Sequence, residues 1–168
     1  MWLIIDGYNV IRQWPELALL DRADLAAGRA ALLEALRAYR RARGHRITVV
    51  FDGVEQGGLG EGGERVAGIA VRYSRQGERA DDVIARLVEE APGEATVVVS
   101  ADHAVQAAAR RCRAAGMDSG EFIARVEAAR LAGLKGGEEA ARPVKTGKGA
   151  ARRLPKRVRR AARRLRDV

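Results

Sequence analysis

The sequence predicts an α/β domain built on a mainly parallel sheet. Short, almost wholly apolar runs occur at 2–5, 47–51 and 95–99, rich in Ile and Val. Strands buried on both faces read this way, whereas a sheet with one wet face alternates. Helix-length segments separate the runs, as crossovers between parallel strands require. Each run is also followed closely by an aspartate, Asp6, Asp52 or Asp102, at the end of the strand where open α/β sheets place their ligands.

The elements follow in order. Residues 2–5 form the first strand, and Pro15 ends a short helical piece after the Asp6-Gly7-Tyr8-Asn9 turn. From 24 to 43, Leu25, Leu32, Leu33, Leu36 and Tyr39 recur at helical spacing, with Asp24 as the starting cap and Gly44 as the stop. The strand at 47–51 leads into a glycine-rich loop, 53–68, whose glycines match no phosphate cradle followed by Lys-Ser/Thr. A third strand is expected at 69–73, a turn at 74–79 and a helix at 81–90 with Val83, Ile84, Leu87 and Val88 inward. On that helix Asp81 projects about 90° from the centre of the apolar face and Asp82 about 170°, so Asp81 reaches towards the sheet edge and Asp82 pairs with Arg86. A strand at 95–99, a helix at 103–115 stopped by Gly116, a short return to the sheet at 116–119 and a helix at 120–134 complete the body, after which Gly133, Gly136 and Gly137 loosen the chain.

Charge divides the 168 residues. Residues 142–168 hold twelve Lys/Arg and one acid, while the first 141 carry a net −2, so the overall +9 belongs to the tail. The expected division is a domain at 1–134 and a basic tail at 135–168. A basic tail without a bulky apolar face favours nucleic acid over a membrane surface. A lone cysteine, Cys112, forms no internal bridge, no apolar run approaches the length of a membrane span, and Met1-Trp2 opens onto a strand without a basic leader. A cytoplasmic protein is expected.

The strand-end acids share one rim of a parallel sheet, joined by Asp81 and Asp82 at a helix start. Carboxylates that converge repel one another and resist desolvation, so a bound cation is the expected compensation. Oxygen ligands without a Cys/His cluster favour Mg²⁺ or Mn²⁺. An ion of this kind holds a phosphate and acidifies water, which is phosphodiester hydrolysis chemistry. Asp6 and Asp102, on adjacent strands, are expected to bind the metal directly. Asp81 and Asp82 act through water or orient the nucleophile, and Asn9 hydrogen-bonds a carboxylate, water or phosphate.

The segments Ile5-Asp6-Gly7-Tyr8-Asn9-Val10-Ile11, Val50-Phe51-Asp52-Gly53, Tyr73-Ser74 with Gly77-Glu78, Ala80-Asp81-Asp82-Val83-Ile84 and Val99-Ser100-Ala101-Asp102 occur in order. Together they resemble the NYN branch of the PIN-like nucleases, in particular the bacterial YacP-like proteins, which include a ribosome-associated endoribonuclease. The resemblance covers about residues 2–130. It implies a three-layer α/β/α fold, a divalent-metal site and endonucleolytic cleavage of RNA, with the ribosome as a partner. It assigns Asp6, Asn9, Asp81, Asp82 and Asp102 to the acidic pocket, with Ser100 in support and Asp52 either at the metal or at the pocket's wall. Gln106 stands where some relatives of the wider fold keep another acid, which removes one strong ligand and the support for a second metal.

Further substrate contacts are expected from Tyr8, the aromatic beside the pocket, which can meet a nucleobase, and from Arg152, Arg153, Lys156, Arg157, Arg159 and Arg160 in the tail. There bases interleave with Leu154, Val158, Ala161, Ala162 and Leu165 at helical spacing, broken by Pro155, and each phosphate contact adds a salt-dependent increment. Two other readings compete. One is a non-catalytic RNA- or ribosome-binding module. The other is a doubly wound phosphatase-like hydrolase, which usually needs a second acid two residues after its nucleophile, a position Tyr8 occupies here.

Overall fold

A computed structural model describes residues 1–53, 63–75, 77–90 and 95–141. The chain separates into two units, Met1–Gly136 and Gly137–Val168, and the first carries the sheet and the candidate site. The elements of the described residues run β1 (Trp2–Asp6), α1 (Gly7–Gln13), α2 (Pro15–Ala23), α3 (Leu25–Arg43), β2 (Arg46–Phe51), β3 (Glu64–Val66), β4 (Ile69–Tyr73), α4 (Ala80–Glu89), β5 (Thr96–Val99), α5 (His103–Arg111), β6 (Ala115–Met117) and α6 (Ser119–Ala141). The sheet order is β3-β4-β2-β1-β5-β6. All pairings are parallel except β3 with β4. This is the mainly parallel α/β architecture that the apolar runs predict.

β1 lies at the centre because its side chains are buried on both faces: Leu3 and Ile5 join Val49, Phe51 and residues of α1, α3 and α6 in one core, while Trp2 and Ile4 join Val50, Val83, Ile84 and Val105 in another. Two cores on opposite sides of one sheet make three layers. The chain builds outward from β1 through β2 and β4, then crosses to β5 on β1's other side. The strand order therefore reverses at the β1–β5 pair, the position at which open sheets leave a crevice.

Several boundaries differ from the expectation. Pro15 ends α1 but also starts α2, since the first helical position needs no N–H. β3 lies within the segment expected as loop; its three residues are all exposed, so no apolar alternation marks them. α5 stops before Gly116 because Arg113 takes a left-handed φ of 63°. Gly116 instead lies in β6, where an added Cβ would meet the Gln106 side chain. α6 continues past Gly133, Gly136 and Gly137 to Ala141, although glycine costs a helix about 1 kcal/mol relative to alanine. At Asp24 and Gly44 the caps are those expected, the latter at φ 69°. No helix among the described residues is long and apolar enough to cross a membrane.

Candidate active site

The site begins where β1 meets α1. Asp6 ends the strand and caps the helix, its Oδ1 accepting from the Asn9 backbone N–H at 3.2 Å. Gly7 must follow, because a Cβ there would run into the Phe51 ring. The other Asp6 oxygen accepts from the Ser100 hydroxyl at 3.1 Å. Ser100 is fully buried, and its Oγ also accepts from the Asp102 N–H at 3.1 Å. One hydroxyl thus ties the carboxylate of β1 to the segment after β5. Asp102 caps α5 through Ala104 N–H at 2.7 Å and stays exposed.

Asn9 braces the same junction. Its Oδ1 accepts from Ala101 N–H and from the Ser119 hydroxyl, each at 2.8 Å, which joins α1, the β5–α5 turn and the start of α6. Oδ1 is engaged by these two donors, and Asn9 lines the cleft. Gln106 is buried and donates from Nε2 to the Ser100 carbonyl at 2.7 Å. Where an acid would supply a ligand, this amide holds the Ser100 backbone in place.

Asp52 is set from the other side of β1. Its Oδ1 accepts from the buried Ser74 hydroxyl at 3.2 Å, and that Oγ also accepts from Gly53 N–H at 2.8 Å. A side chain on Gly53 would strike the Ser74 carbonyl, so the Asp-Gly pair is required here for close approach.

The two acids of α4 part company. Asp81 pairs with Arg79 at 3.2 Å and is half-buried. Asp82 turns back to accept from the Arg79 backbone N–H at 3.1 Å, capping the helix. The expected Asp82–Arg86 pair is replaced by Arg86–Glu78 at 2.8 Å. A cleft of about 320 Å³ is lined by Asp6, Asn9, Asp52, Asp81 and Asp102, with Tyr8, Arg12, Gln13 and Arg79 also on its walls. Asp82 does not line it and faces a second depression between α4 and α5. Ser100 does not line it either; it works through Asp6 and Asp102.

Electrostatics mark Asp6. Burial pushes its carboxyl up to about 6, against the pull of the Asn9 and Ser100 hydrogen bonds; Asp81 adds repulsion and Arg12 relieves some of it. Asp81 is also raised, by burial first, while Arg79 opposes the shift and Asp102, Asp82 and Asp52 reinforce it. Arg12 and Arg79 therefore meet part of the compensation that the sequence assigns to an ion. Among the described residues no three His, Cys, Asp or Glu side chains form a ready cage for a metal. What the cleft offers is an all-oxygen donor set with one strongly desolvated carboxylate. That suits a hydrated hard cation held through one or two carboxylates and water, the usual manner of Mg²⁺.

Tyr8 reaches the cleft but is buried. Its ring packs edge-to-face with Phe51, the centroids 5.1 Å apart, Arg12 lies 5.5 Å from its centroid, and its hydroxyl accepts from Arg29 at 2.8 Å. The ring is thus held by packing and by arginines at the cleft wall, with little of its surface left open for a nucleobase. Arg152, Arg153, Lys156, Arg157, Arg159 and Arg160 lie outside the described residues. Sequence reasoning missed Arg12, Gln13, Arg79 and Ser119, and had Ser74 only within the Tyr73-Ser74 segment of the resemblance, without a role. Arg12 and Gln13 were legible, three and four residues beyond Asn9 on one helix face. The roles of Ser74 and Ser119 were not, because their partners are 21 and 110 residues away.

Comparison with known proteins bears on this geometry. The uncharacterized protein YacP of Bacillus subtilis (strain 168) is 32% identical over 87 residues, 52% of this chain and 51% of that protein. The match thus spans about half the length of that relative. The crystal structure of a tryptophan-to-leucine mutant of Rae1 (YacP) from Bacillus subtilis superposes with a TM-score of 0.74 at 23% identity, over 86% of each chain. A second crystal structure of Rae1 (YacP) gives 0.62 at 22% identity, covering 99% of this chain and 91% of the other; at such identities the likeness is one of fold. The YacP-like NYN domain matches residues 3–167, from the first strand into the basic segment. With nearly its whole length matched, the chain belongs to the YacP-like NYN domain family.

Proposed function

We propose that the cleft hydrolyses RNA internally with the help of Mg²⁺ or Mn²⁺. The observation that carries this reading is the meeting of Asp6, Asp52, Asp81 and Asp102 in one cleft alongside Arg12 and Arg79. Asp6 and Asp102 would hold the ion, with Asp81 reaching it through water. When bound, such an ion polarises a phosphoryl oxygen and makes water a stronger nucleophile.

The remaining work belongs to the chain. Arg12 and Arg79 present guanidinium groups to phosphate oxygens, and the Asn9 amide donates from Nδ2. Asp81, whose raised pKa makes it a better base than an ordinary carboxylate, accepts a proton from the attacking water. Ser100 keeps Asp6 and Asp102 in register with each other. RNA in the cytoplasm, and message at the ribosome in particular, is the substrate this reading favours, on the strength of the family likeness.

A second reading has an observation of its own. The Arg79–Asp81 pair leaves the cleft partly neutralised without any ion, as suits a module that binds RNA without cutting it. Incubating a single-stranded RNA with the full chain, with Mg²⁺ or with chelator, separates the two. Cleavage that requires the ion and disappears in Asp6→Asn, with the fold intact by circular dichroism, is expected. Binding without cleavage under all conditions supports the second reading.

A further inference from the structure

Away from the acidic cleft, arginines from three neighbouring strands meet in a groove of about 240 Å³: Arg46 of β2, Arg65 of β3 and Arg72 of β4. Glu90 is the one acid on its wall among the described residues. The groove is built rather than merely charged. Trp2 is 3% exposed, its indole N–H donates to the buried Thr48 hydroxyl at 2.9 Å, and Arg46 lies 4.0 Å from its ring centroid. A locked aromatic face holds the guanidinium of Arg46 in place, which lowers the entropy cost of using its fork.

Edge strands carry charge to discourage pairing with other sheets. That accounts for Arg65 on the edge strand β3, but Arg72 and Arg46 sit one and two strands further in. The groove and the cleft share no lining residue, but the same strands and helix lead from one to the other. Arg72 stands opposite Val50 in the β2–β4 register, and Ser74, which holds Asp52, follows two residues later. Along β2, Arg46 and Asp52 are separated by about 20 Å at the usual strand rise. α4 flanks both sites, with Asp81 of its first turn in the cleft and Glu90 just past its last turn on the groove.

We infer that this groove is a binding track for the phosphodiester backbone of single-stranded RNA that extends from the cleft along α4. Its guanidinium groups have the chemistry for phosphate oxygens, and among the described residues that line it no array of aromatic faces is there to select bases. The inference rests on the cleft acting on RNA, but its test does not depend on cleavage.

The test compares full-length Arg65→Gln/Arg72→Gln with the parent, each in an Asp6→Asn background that leaves bound RNA uncut. Binding of four-nucleotide and sixteen-nucleotide single-stranded RNAs is followed by fluorescence anisotropy across a salt series, with inorganic phosphate as competitor. Expected is a loss of about tenfold in affinity for the long RNA, a salt slope shallower by about 0.7 for each lost contact, and unchanged binding of the short one. With Asp6 intact, the same pair of changes should raise KM for long RNA without altering kcat. Equal affinities and slopes for both lengths, in proteins with matching circular dichroism, would reduce the arginines to edge protection. Displacement of the long RNA by millimolar phosphate alone would show a simple anion site and equally overturn the track. If Asp6→Asn still cuts RNA, the cleft assignment fails while the binding comparison stands.

Discussion

At the scale of single residues, Asp6 concentrates the tension in the site. Its carboxyl titrates near 6 when folded against 3.8 in its ordinary state, chiefly because it is buried. The folded protein therefore holds this proton more tightly than the unfolded chain. The resulting stabilisation is complete below pH 3.8 and is lost as pH rises through about 6, an effect on the order of 3 kcal/mol. Metal-free protein should lose stability between about pH 4 and 8, and Asp6→Asn should lose less by about that amount. Urea midpoints across the pH range measure this, and parallel profiles for the two proteins would contradict it. The sign matters for function: a carboxylate that is costly to ionise alone is one that a cation stabilises when it arrives.

At the scale of elements, the first turn of α4 assigns different work to neighbouring acids. Asp82 bonds the backbone N–H of Arg79, whereas Asp81 enters the cleft. Asp82→Ala should cost about 1 kcal/mol of stability by thermal melting, as a lost cap does, with RNA cleavage retained. Asp81→Asn should do the reverse, keeping the melting temperature while cleavage falls about a hundredfold. Equal losses of activity in the two would return Asp82 to the site. Helical projection had already separated these residues, placing Asp81 nearer the sheet and Asp82 on the far side. Sequence could not supply the partner, because a backbone cap competes with an i+4 ion pair and the Arg86 side chain goes to Glu78. The strands β1, β2 and β5 were legible for a simple reason: burial on both faces demands uninterrupted apolar runs. β3 was not, since an edge strand with three exposed residues carries no such demand. The extent of α6 also escaped, because a glycine such as Gly133, with open space where a Cβ would be, weakens a helix without ending it.

At the scale of the molecule, the sequence sets a near-neutral stretch, residues 1–141, against a tail of twelve bases, and the proposed function gives that tail phosphate contacts to make. Deleting residues 142–168 should weaken RNA binding and flatten its dependence on salt, because each neutralised phosphate releases counterions. Filter binding at several ionic strengths checks this, and unchanged slopes would deny the tail a role. The strand-end rule brought Asp6, Asp52 and Asp102 to one rim from sequence alone. What it could not reveal was which groups Ser100, Asn9, Ser74 and Ser119 bond across the fold, or that Arg79 pairs with Asp81 to temper the charge. Such contacts depend on which loops meet, and local pattern carries no record of that. Calorimetric titration of Mn²⁺ into the metal-free 168-residue chain and into Asp6→Asn, with cleavage of a single-stranded RNA followed in the same samples, tests the ion-dependent cleft most directly. Saturable binding to the parent that rises with cleavage, both lost in the variant, is the predicted result. Cleavage that proceeds without bound ion, or Mn²⁺ binding untouched by the Asp6 change, would contradict it.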